Sequence, residues 1–275
     1  MKYFLFPFFY FLFCSPTESK SANIESIVSF GDSLFLKGNY INALNEYRRA
    51  YFFAGSELKS QLGGKIADCY LILNDFKMAR SFYDSVMFYS KNDSQRISCE
   101  FQKILCFMKE NNFGYALIKL NNLEVEDEIQ LQRRKNLYQG ICYFGMEQYD
   151  SSHLHFLKTI PSTDTLGKLQ LQKMYENTKM LKRPNPCLAI LFSIIVPGAG
   201  QIYSGDLKDG LNSALLLGGL FYLGSSGSLS SFIAIMPFFY RYYMGGIMNA
   251  KQIADKRKKE KQYYYYTNLM QILLQ

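Results

Sequence analysis

The feature that most constrains the fold is a residue pattern that occurs four times between residues 24 and 160, roughly every 36 residues. One position of the pattern holds Gly31, Ala67, Ile104 and Gly140, the next Leu34, Tyr70, Phe107 and Tyr143, and a later one Ala43, Ala79, Ala116 and Ser152. A pattern of this length indicates a stack of similar helical units, each of which buries its apolar face only against its neighbours.

Each position of the pattern has a physical reason. Small residues let two antiparallel helices approach closely, and the aromatic residues and leucines fill the space between one pair and the next. Gly38, Asn74 and Asn111 are expected to end the first helix of their copies, because glycine and asparagine adopt a left-handed backbone most easily. Cys69, Cys106 and Cys142 recur at one position, where we expect small, buried packing residues rather than disulfides.

The pattern resembles the tetratricopeptide repeat family, whose usual period is 34 residues. Residues 24–55 are the clearest copy, and the third copy is degenerate because Ile104 replaces a small residue. The resemblance implies an all-α protein in which residues 22–160 form a right-handed superhelix, followed by a helical transmembrane domain. A generic array of helical hairpins is the alternative that the pattern leaves open.

The resemblance also implies a concave groove that holds an extended peptide or a helix of a protein partner. Three rows of apolar residues would face it: Phe35, Leu71, Met108 and Phe144; Val28, Phe101 and Leu137; Leu105 and Ile141. Residues 161–185 form a capping or linker segment with an amphipathic stretch at 165–183. This stretch either fills the groove or caps the stack, and the sequence leaves both open.

The first residues have the composition of a secretory signal peptide. Lys2 precedes an apolar run at residues 3–13, which is too short to span a bilayer, and small and polar residues follow. We therefore expect residues 1–21 to be a signal peptide and the repeats to be exported. Lipid attachment at Cys14 is the alternative.

A second apolar region, residues 186–250, predicts a membrane domain. Its hydrophobic pieces at 187–203, 210–224 and 229–248 predict three spans, or two spans and a re-entrant piece. Residues 251–275 are expected to form a basic, tyrosine-rich tail. Three spans would place the C-terminus in the cytoplasm, which suits its basic residues, and these would contact anionic lipid: Lys256, Arg257, Lys258, Lys259 and Lys261. We expect no binding to nucleic acid.

A glycine-rich motif stands inside this region: Pro197, Gly198, Gly200, Gln201, Tyr203, Gly205 and Gly210. It resembles the P-G-x-G-Q-x-Y-x-G motif of a family of small bacterial membrane domains that often follow tetratricopeptide repeats. The resemblance covers about residues 186–255 and implies a bacterial inner-membrane location. The expected signal peptide would place the repeats on the periplasmic side. The glycine spacing is not that of a nucleotide-binding loop, so we expect helix packing rather than ligand binding.

The sequence contains no arrangement typical of an active site. The six cysteines form no metal-binding spacing, and His153 and His155 lie two positions apart, so they do not share a helix face. We expect neither an enzyme, nor a cofactor, nor a metal. The expected function is a membrane-anchored scaffold or adaptor for protein–protein interaction in the cell envelope. The alternative is an accessory of membrane-protein assembly or transport, in which the glycine-rich domain is the working part.

Overall fold

The computed structural model describes residues 18–90, 92–125, 128–227 and 229–273. Across these residues the regular structure consists of thirteen α-helices and one 3-10 helix, with no strand, which confirms the all-α class. Most of the expected signal peptide lies outside the described residues. The chain divides into two compact units, Met1–Glu128 and Ile129–Gln275.

The first unit contains three helical hairpins. They are α1 (Glu18–Leu36) with α2 (Tyr40–Phe53), α3 (Ser56–Ile72) with α4 (Phe76–Tyr89), and α5 (Asp93–Lys109) with α6 (Phe113–Asn122). Each hairpin packs on the next, α2 against α3 and α4 against α5. The small residues Ala43, Ala67, Ala79 and Ala116 are fully buried between the helices, as the pattern predicts.

The turn inside each hairpin is closed by a left-handed residue. Gly38, Asn74 and Asn111 have φ angles of 76°, 62° and 58°, which confirms the sequence expectation for all three. The amide of the following residue then donates to a carbonyl in the last turn of the helix: Asn39 to Leu34, Asp75 to Tyr70 and Asn112 to Phe107, each at 2.9 Å. These bonds satisfy helix-end carbonyls that would otherwise lack a partner.

The second unit begins with a fourth hairpin, α7 (Ile129–Gly145) with α8 (Tyr149–Leu157), whose left-handed residue is Glu147 at φ 59°. It continues with α9 (Thr165–Tyr175), the 3-10 helix Thr178–Lys182, α10 (Pro186–Ile195), α11 (Ala199–Tyr203), α12 (Leu207–Ser226) and α13 (Leu229–Leu273). Side-chain caps begin several of these helices; Asp164, Asn185 and Asp206 each accept a hydrogen bond from a backbone amide of the first turn.

Helix α13 has 45 residues and is therefore about 68 Å long. Its first part packs against α10, α11 and α12, and its last part packs against α9 and the 3-10 helix. Residues 251–273, which we expected to form a separate tail, instead continue this helix. The boundary expected at residue 250 thus falls inside α13, because Tyr265, Leu269 and Leu273 repeat at helical spacing and give it a face to pack.

None of the described helices is both long and apolar enough to cross a membrane. The first apolar piece is divided between α10 and α11, because Val196 is extended and Gly198 is left-handed, with φ 90°. The second piece lies in α12. The third lies in the first part of α13, which contains Pro237 and Arg241.

Candidate functional site

The expected groove residues of the first unit differ in their exposure. Val28, Phe35, Leu71 and Leu105 are half-buried, and the first two pack against the core of the first hairpin. Phe101 and Met108 are buried, at 0% and 7% exposed, so they belong to the core rather than to an open surface. The surface available to a partner in this unit is therefore narrower than the resemblance implies.

Two carboxylates lie at positions that the sequence analysis did not single out. Asp32 and Asp68 occupy the pattern position that holds Leu105 and Ile141 in the later copies. The Tyr47 hydroxyl donates to Asp32 Oδ1 at 2.6 Å, and the Tyr83 hydroxyl donates to Asp68 Oδ1 at 2.6 Å. The aspartate and the tyrosine recur together in the first two copies, and this joint recurrence was the signal in the sequence.

The two aspartates titrate differently. Burial raises the pKa of Asp68, and the hydrogen bond from Tyr83 offsets only part of that effect. Burial also acts on Asp32, but hydrogen bonds from Lys65 and Tyr47 outweigh it and lower the pKa of that carboxyl. The face of the first two hairpins therefore combines apolar side chains with a firmly ionised carboxylate at Asp32.

In the fourth hairpin the groove residue Phe144 is covered by the chain's own helix α13. The Phe144 ring stacks on Tyr265, with centroids 5.9 Å apart, and lies 5.6 Å from the ring of Tyr266. Leu137 and Ile141 pack against the same cluster, in which Leu269 is fully buried. Phe144 thus contacts α13, while Leu137 and Ile141 remain half-buried beside a cluster that also contains Leu171 and Tyr175 of the 165–183 stretch.

Helix α9 caps the fourth hairpin instead. It packs on α8, Leu171 is fully buried, and the hydroxyl of Tyr175 is 2.9 Å from that of Ser152. Of the two roles that the sequence left open for this segment, the structure supports the cap. The sequence pattern alone does not distinguish the two, because an amphipathic face shows that a helix packs but not where.

A polar contact fixes α13 on the turn of the same hairpin. Glu147 Oε1 is 2.7 Å from Lys258 Nζ and accepts a hydrogen bond of 3.2 Å from Gln262, which also donates to the Tyr149 hydroxyl at 3.0 Å. Burial would raise the pKa of Glu147, but the contacts from Lys258 and Gln262 outweigh it and lower the pKa. Lys258 therefore has a protein partner, whereas the other basic residues of the run are exposed: Lys256, Arg257, Lys259 and Lys261.

The glycines of the motif permit close contact between helices. A Cβ atom at Gly198 would collide with the carbonyl oxygen of Gly210, and one at Gly200 would collide with the carbonyl oxygen of Ala189. These contacts bring α11 against α10 and the start of α12. Pro197 precedes the turn, and Gly205 has φ 91° and lies beneath the guanidinium of Arg257. Packing thus accounts for these glycines without a ligand.

Polar side chains form the interior of this group of helices. Gln201 is 1% exposed; its Nε2 donates to the carbonyl oxygen of Gly246 at 2.9 Å and its Oε1 lies 3.4 Å from the hydroxyl of Ser193. Ser204 donates to the carbonyl oxygen of Gly200 at 2.7 Å. The Tyr203 hydroxyl accepts from the backbone amide of Asn185 at 3.1 Å. Gln201 therefore connects α10, α11 and α13.

The outer surface of the same helices is apolar. We call residues 186–250 the hydrophobic module; its only charged residues are Asp206, Lys208, Asp209 and Arg241. Its exposed side chains include Leu191, Ile194, Ile195, Val196, Leu211, Leu215, Leu216, Phe221, Tyr222, Leu223, Ile233, Phe238, Tyr240 and Met248. The module thus has polar groups inside and large apolar groups outside.

The two histidines have structural surroundings. His153 stacks on Tyr175 and His155 on Tyr143, and burial lowers the pKa of both imidazoles. In the described part of the chain, no group of histidine, cysteine and carboxylate side chains is arranged to hold a metal ion. Cys69, Cys106 and Cys142 are free thiols and are fully buried in the helix packing.

No protein-family model, no curated protein and no solved structure matches the chain. The function has therefore to be inferred from the geometry of the molecule itself.

Proposed function

We propose that this protein is a membrane-anchored adaptor of the bacterial cell envelope. Hairpins of the tetratricopeptide type bind a protein partner on the exported side, and the hydrophobic module is held in the bilayer. The observation that carries the proposal is the reversed polarity of the module, in which Gln201 is buried while Leu215 and Phe221 are 74% and 62% exposed.

Energetics support a lipid environment for the module. Removing one large apolar side chain from water is worth about 1.5–3 kcal/mol, and the module exposes many of them. Contiguous apolar patches beyond a few hundred Å² are rare on monomeric soluble proteins. Buried glutamine and serine, with glycine at the helix contacts, are the means by which helices associate in lipid. We infer that the module enters the bilayer as one packed group, with α10 and α11 as the re-entrant piece.

Helix α13 gives the adaptor a rigid connection inside the second unit. Its first part belongs to the hydrophobic module, and its last part is fixed on the fourth hairpin by Lys258, Gln262 and Tyr265. A continuous helix does not bend freely as a flexible linker does. The fourth hairpin is therefore held at a set distance from the module.

The partner is proposed to bind the first three hairpins. In the fourth hairpin the ring of Phe144 is covered by Tyr265 and Tyr266 of α13, whereas Phe35 at the equivalent position of the first hairpin is half-buried. The carboxylate of Asp32 is already paired with Lys65 and accepts a hydrogen bond from Tyr47. We therefore expect the partner to contribute an apolar segment.

Membrane attachment is tested by alkaline extraction of membranes from cells that express the full chain. The double variant Leu215→Asp, Phe221→Asp is expected to shift the protein from the pellet to the extract. Leu154→Asp is the matched control, because Leu154 is also exposed, at 61%, but lies on α8. Equal extraction of the double variant and the wild-type protein would remove the support for a membrane anchor.

Partner binding is tested with a photo-crosslinking amino acid at residue 35 or 71 of the full chain in cells. We expect one discrete adduct from these positions. Position 52 is the control, since Phe52 is 79% exposed on α2 rather than on a first helix. The groove proposal fails if position 52 gives the same adduct or if positions 35 and 71 give none.

A second function is favoured by a polar cavity between α12 and α13, lined by Arg241 and Asp209. Under this alternative the module itself works in membrane-protein assembly or transport, and the hairpins recruit the protein to its site. Replacing residues 186–250 with a plain membrane anchor separates the two functions. Full complementation by that chimera would eliminate the alternative.

A further inference from the structure

The cavity between α12 and α13 has a volume of about 480 Å³, within the range of small-molecule sites. Its lining includes Asp209, Asn212, Ser213, Arg241, Tyr242 and Asn249. These six residues bring one carboxylate, one guanidinium, two amides and two hydroxyls together on helices whose outer faces are apolar. Such a concentration of polar groups is costly at a lipid-facing surface unless a polar ligand or water occupies it.

The two charges of the cavity do not neutralise each other. Among the described residues no carboxylate lies within ion-pair distance of Arg241. Asp209 is half-buried in the first turn of α12 and accepts a hydrogen bond of 3.3 Å from the amide of Asn249. The cavity therefore offers a cationic and an anionic group to a ligand at the same time.

The surroundings of the cavity suit a ligand with an apolar part. Leu211, Leu215 and Leu216 are exposed on α12, and Met244 and Met248 are exposed on α13. Both helices thus present apolar side chains close in sequence to the polar lining. A molecule with a polar head in the cavity can lay an acyl chain along this surface.

We propose that this cavity binds the headgroup of a zwitterionic phospholipid that carries a primary ammonium group. The phosphate contacts Arg241, whose guanidinium pairs with phosphate through two N–H donors, and the ammonium contacts Asp209. A purely anionic headgroup satisfies Arg241 but brings negative charge near Asp209. This inference rests on the proposed membrane location, which supplies the lipid.

The test uses the full chain, purified in a non-ionic detergent, and calorimetric titration with short-chain phospholipids. We expect phosphatidylethanolamine to bind about tenfold more tightly than phosphatidylglycerol or phosphatidylcholine, because only its headgroup bonds to both charges. Arg241→Gln is expected to weaken phosphatidylethanolamine binding by about tenfold, and Asp209→Asn to abolish the preference over phosphatidylglycerol. Lys251→Gln, on an exposed lysine of α13 outside the cavity lining, is the control and is expected to change nothing.

Asp209 also contacts Asn249, so its variant is paired with Asn212→Asp, which adds a carboxylate to the cavity lining and is expected to weaken phosphatidylglycerol binding most. Equal binding of the three lipids, or an unchanged affinity in Arg241→Gln, overturns the inference. If free phosphoethanolamine binds as tightly as phosphatidylethanolamine, the ligand of the cavity is a soluble molecule and not a lipid, which overturns the inference. Flotation of the same protein with phospholipid vesicles separates the two proposals. Flotation without headgroup preference defeats only this site, whereas loss of flotation defeats the membrane anchor.

Discussion

The hairpins of the first unit and the hydrophobic module of the second are both built from helices in contact through small residues, yet they differ in how much polar structure they bury. In the hairpins the largest fully buried residues are apolar or aromatic, such as Tyr47, Leu62 and Ile66. In the module Gln201 is buried as well as Leu217, while most of its leucine and phenylalanine side chains are exposed.

This contrast shows that helix packing does not depend on which side chains face outward. Close approach is set by small residues in both regions, Ala79 in a hairpin and Gly200 in the module. The two regions differ in the medium that suits their outer faces, which is water for the hairpins and, under the proposed function, lipid for the module. Water drives the burial of apolar groups in the hairpins, whereas lipid provides no such drive and leaves hydrogen bonds and packing to hold the module together.

The largest effect is expected from the core of the hairpins. Ile66→Ala removes a fully buried side chain from α3 and is expected to lower the free energy of unfolding by about 2–5 kcal/mol. Ile72→Ala, on the same helix but 42% exposed, should cost much less. Thermal unfolding of the full chain in detergent, followed by circular dichroism, measures both. Equal destabilisation by the two variants would contradict an apolar interior in this region.

In the module, the loss of a buried polar side chain should cost more stability than a polar substitution at an exposed leucine. Gln201→Leu keeps the side chain nearly the same size but removes the hydrogen bonds to the carbonyl oxygen of Gly246 and to the buried hydroxyl of Ser193. We expect a loss of about 1–3 kcal/mol in the stability of the module. Leu215→Gln, a polar substitution at an exposed position where no internal hydrogen bond is lost, should destabilise the module less. Hydrogen exchange of the peptides from α11 and α13 reports the effect locally.

Glycine-to-alanine substitutions should also distinguish the hairpins from the module, with smaller changes in stability. Gly38→Ala forces alanine into a left-handed backbone with open space around its Cβ, so the expected cost is about 1 kcal/mol of strain alone. Gly64→Ala, within α3 and also with open space, should stabilise by about 0.5–1 kcal/mol. Gly198→Ala in the module adds a collision with the carbonyl oxygen of Gly210 to the same backbone strain. It should therefore lower the stability more than Gly38→Ala does. Similar costs at residues 38 and 198 would refute the packing role of the motif.

The local part of this architecture could be read from the sequence. The all-α class, the hairpin turns at Gly38, Asn74 and Asn111, and the buried alanines follow from patterns within one hairpin. Burial of Phe101 and Met108 did not follow, since the repeat pattern predicts the face of a residue but not how much that face is covered.

Long-range contacts account for what the sequence did not predict. Phe144 packs on Tyr265 across more than a hundred residues, and no local pattern links them. The basic residues around Lys258 suggested a separate tail in contact with anionic lipid, whereas the structure continues the helix, with Tyr265 and Leu269 packed at helical spacing. The cavity at Arg241 and Asp209 depends in the same way on two helices that meet in space.

The smallest effect concerns the place where module and hairpin meet through α13. The pKa of Glu147 is lowered in the folded protein, so its contribution to stability is present above the usual value of 4.5 and is lost as the pH falls through the lower folded value. Because Glu147 is partly exposed, the contribution is about 1 kcal/mol or less. The hydrogen-exchange protection factors of residues 258–273, which correct for the intrinsic pH dependence of amide exchange, should therefore decrease at pH values below 4.5. Lys258→Met should lower these protection factors at neutral pH and reduce their dependence on pH, whereas Lys259→Met, on an exposed neighbour, should do neither. If both variants behave alike, Glu147 does not hold α13 on the fourth hairpin, and the contact between these two elements rests on the aromatic rings of Phe144 and Tyr265 and on the other packing of this cluster.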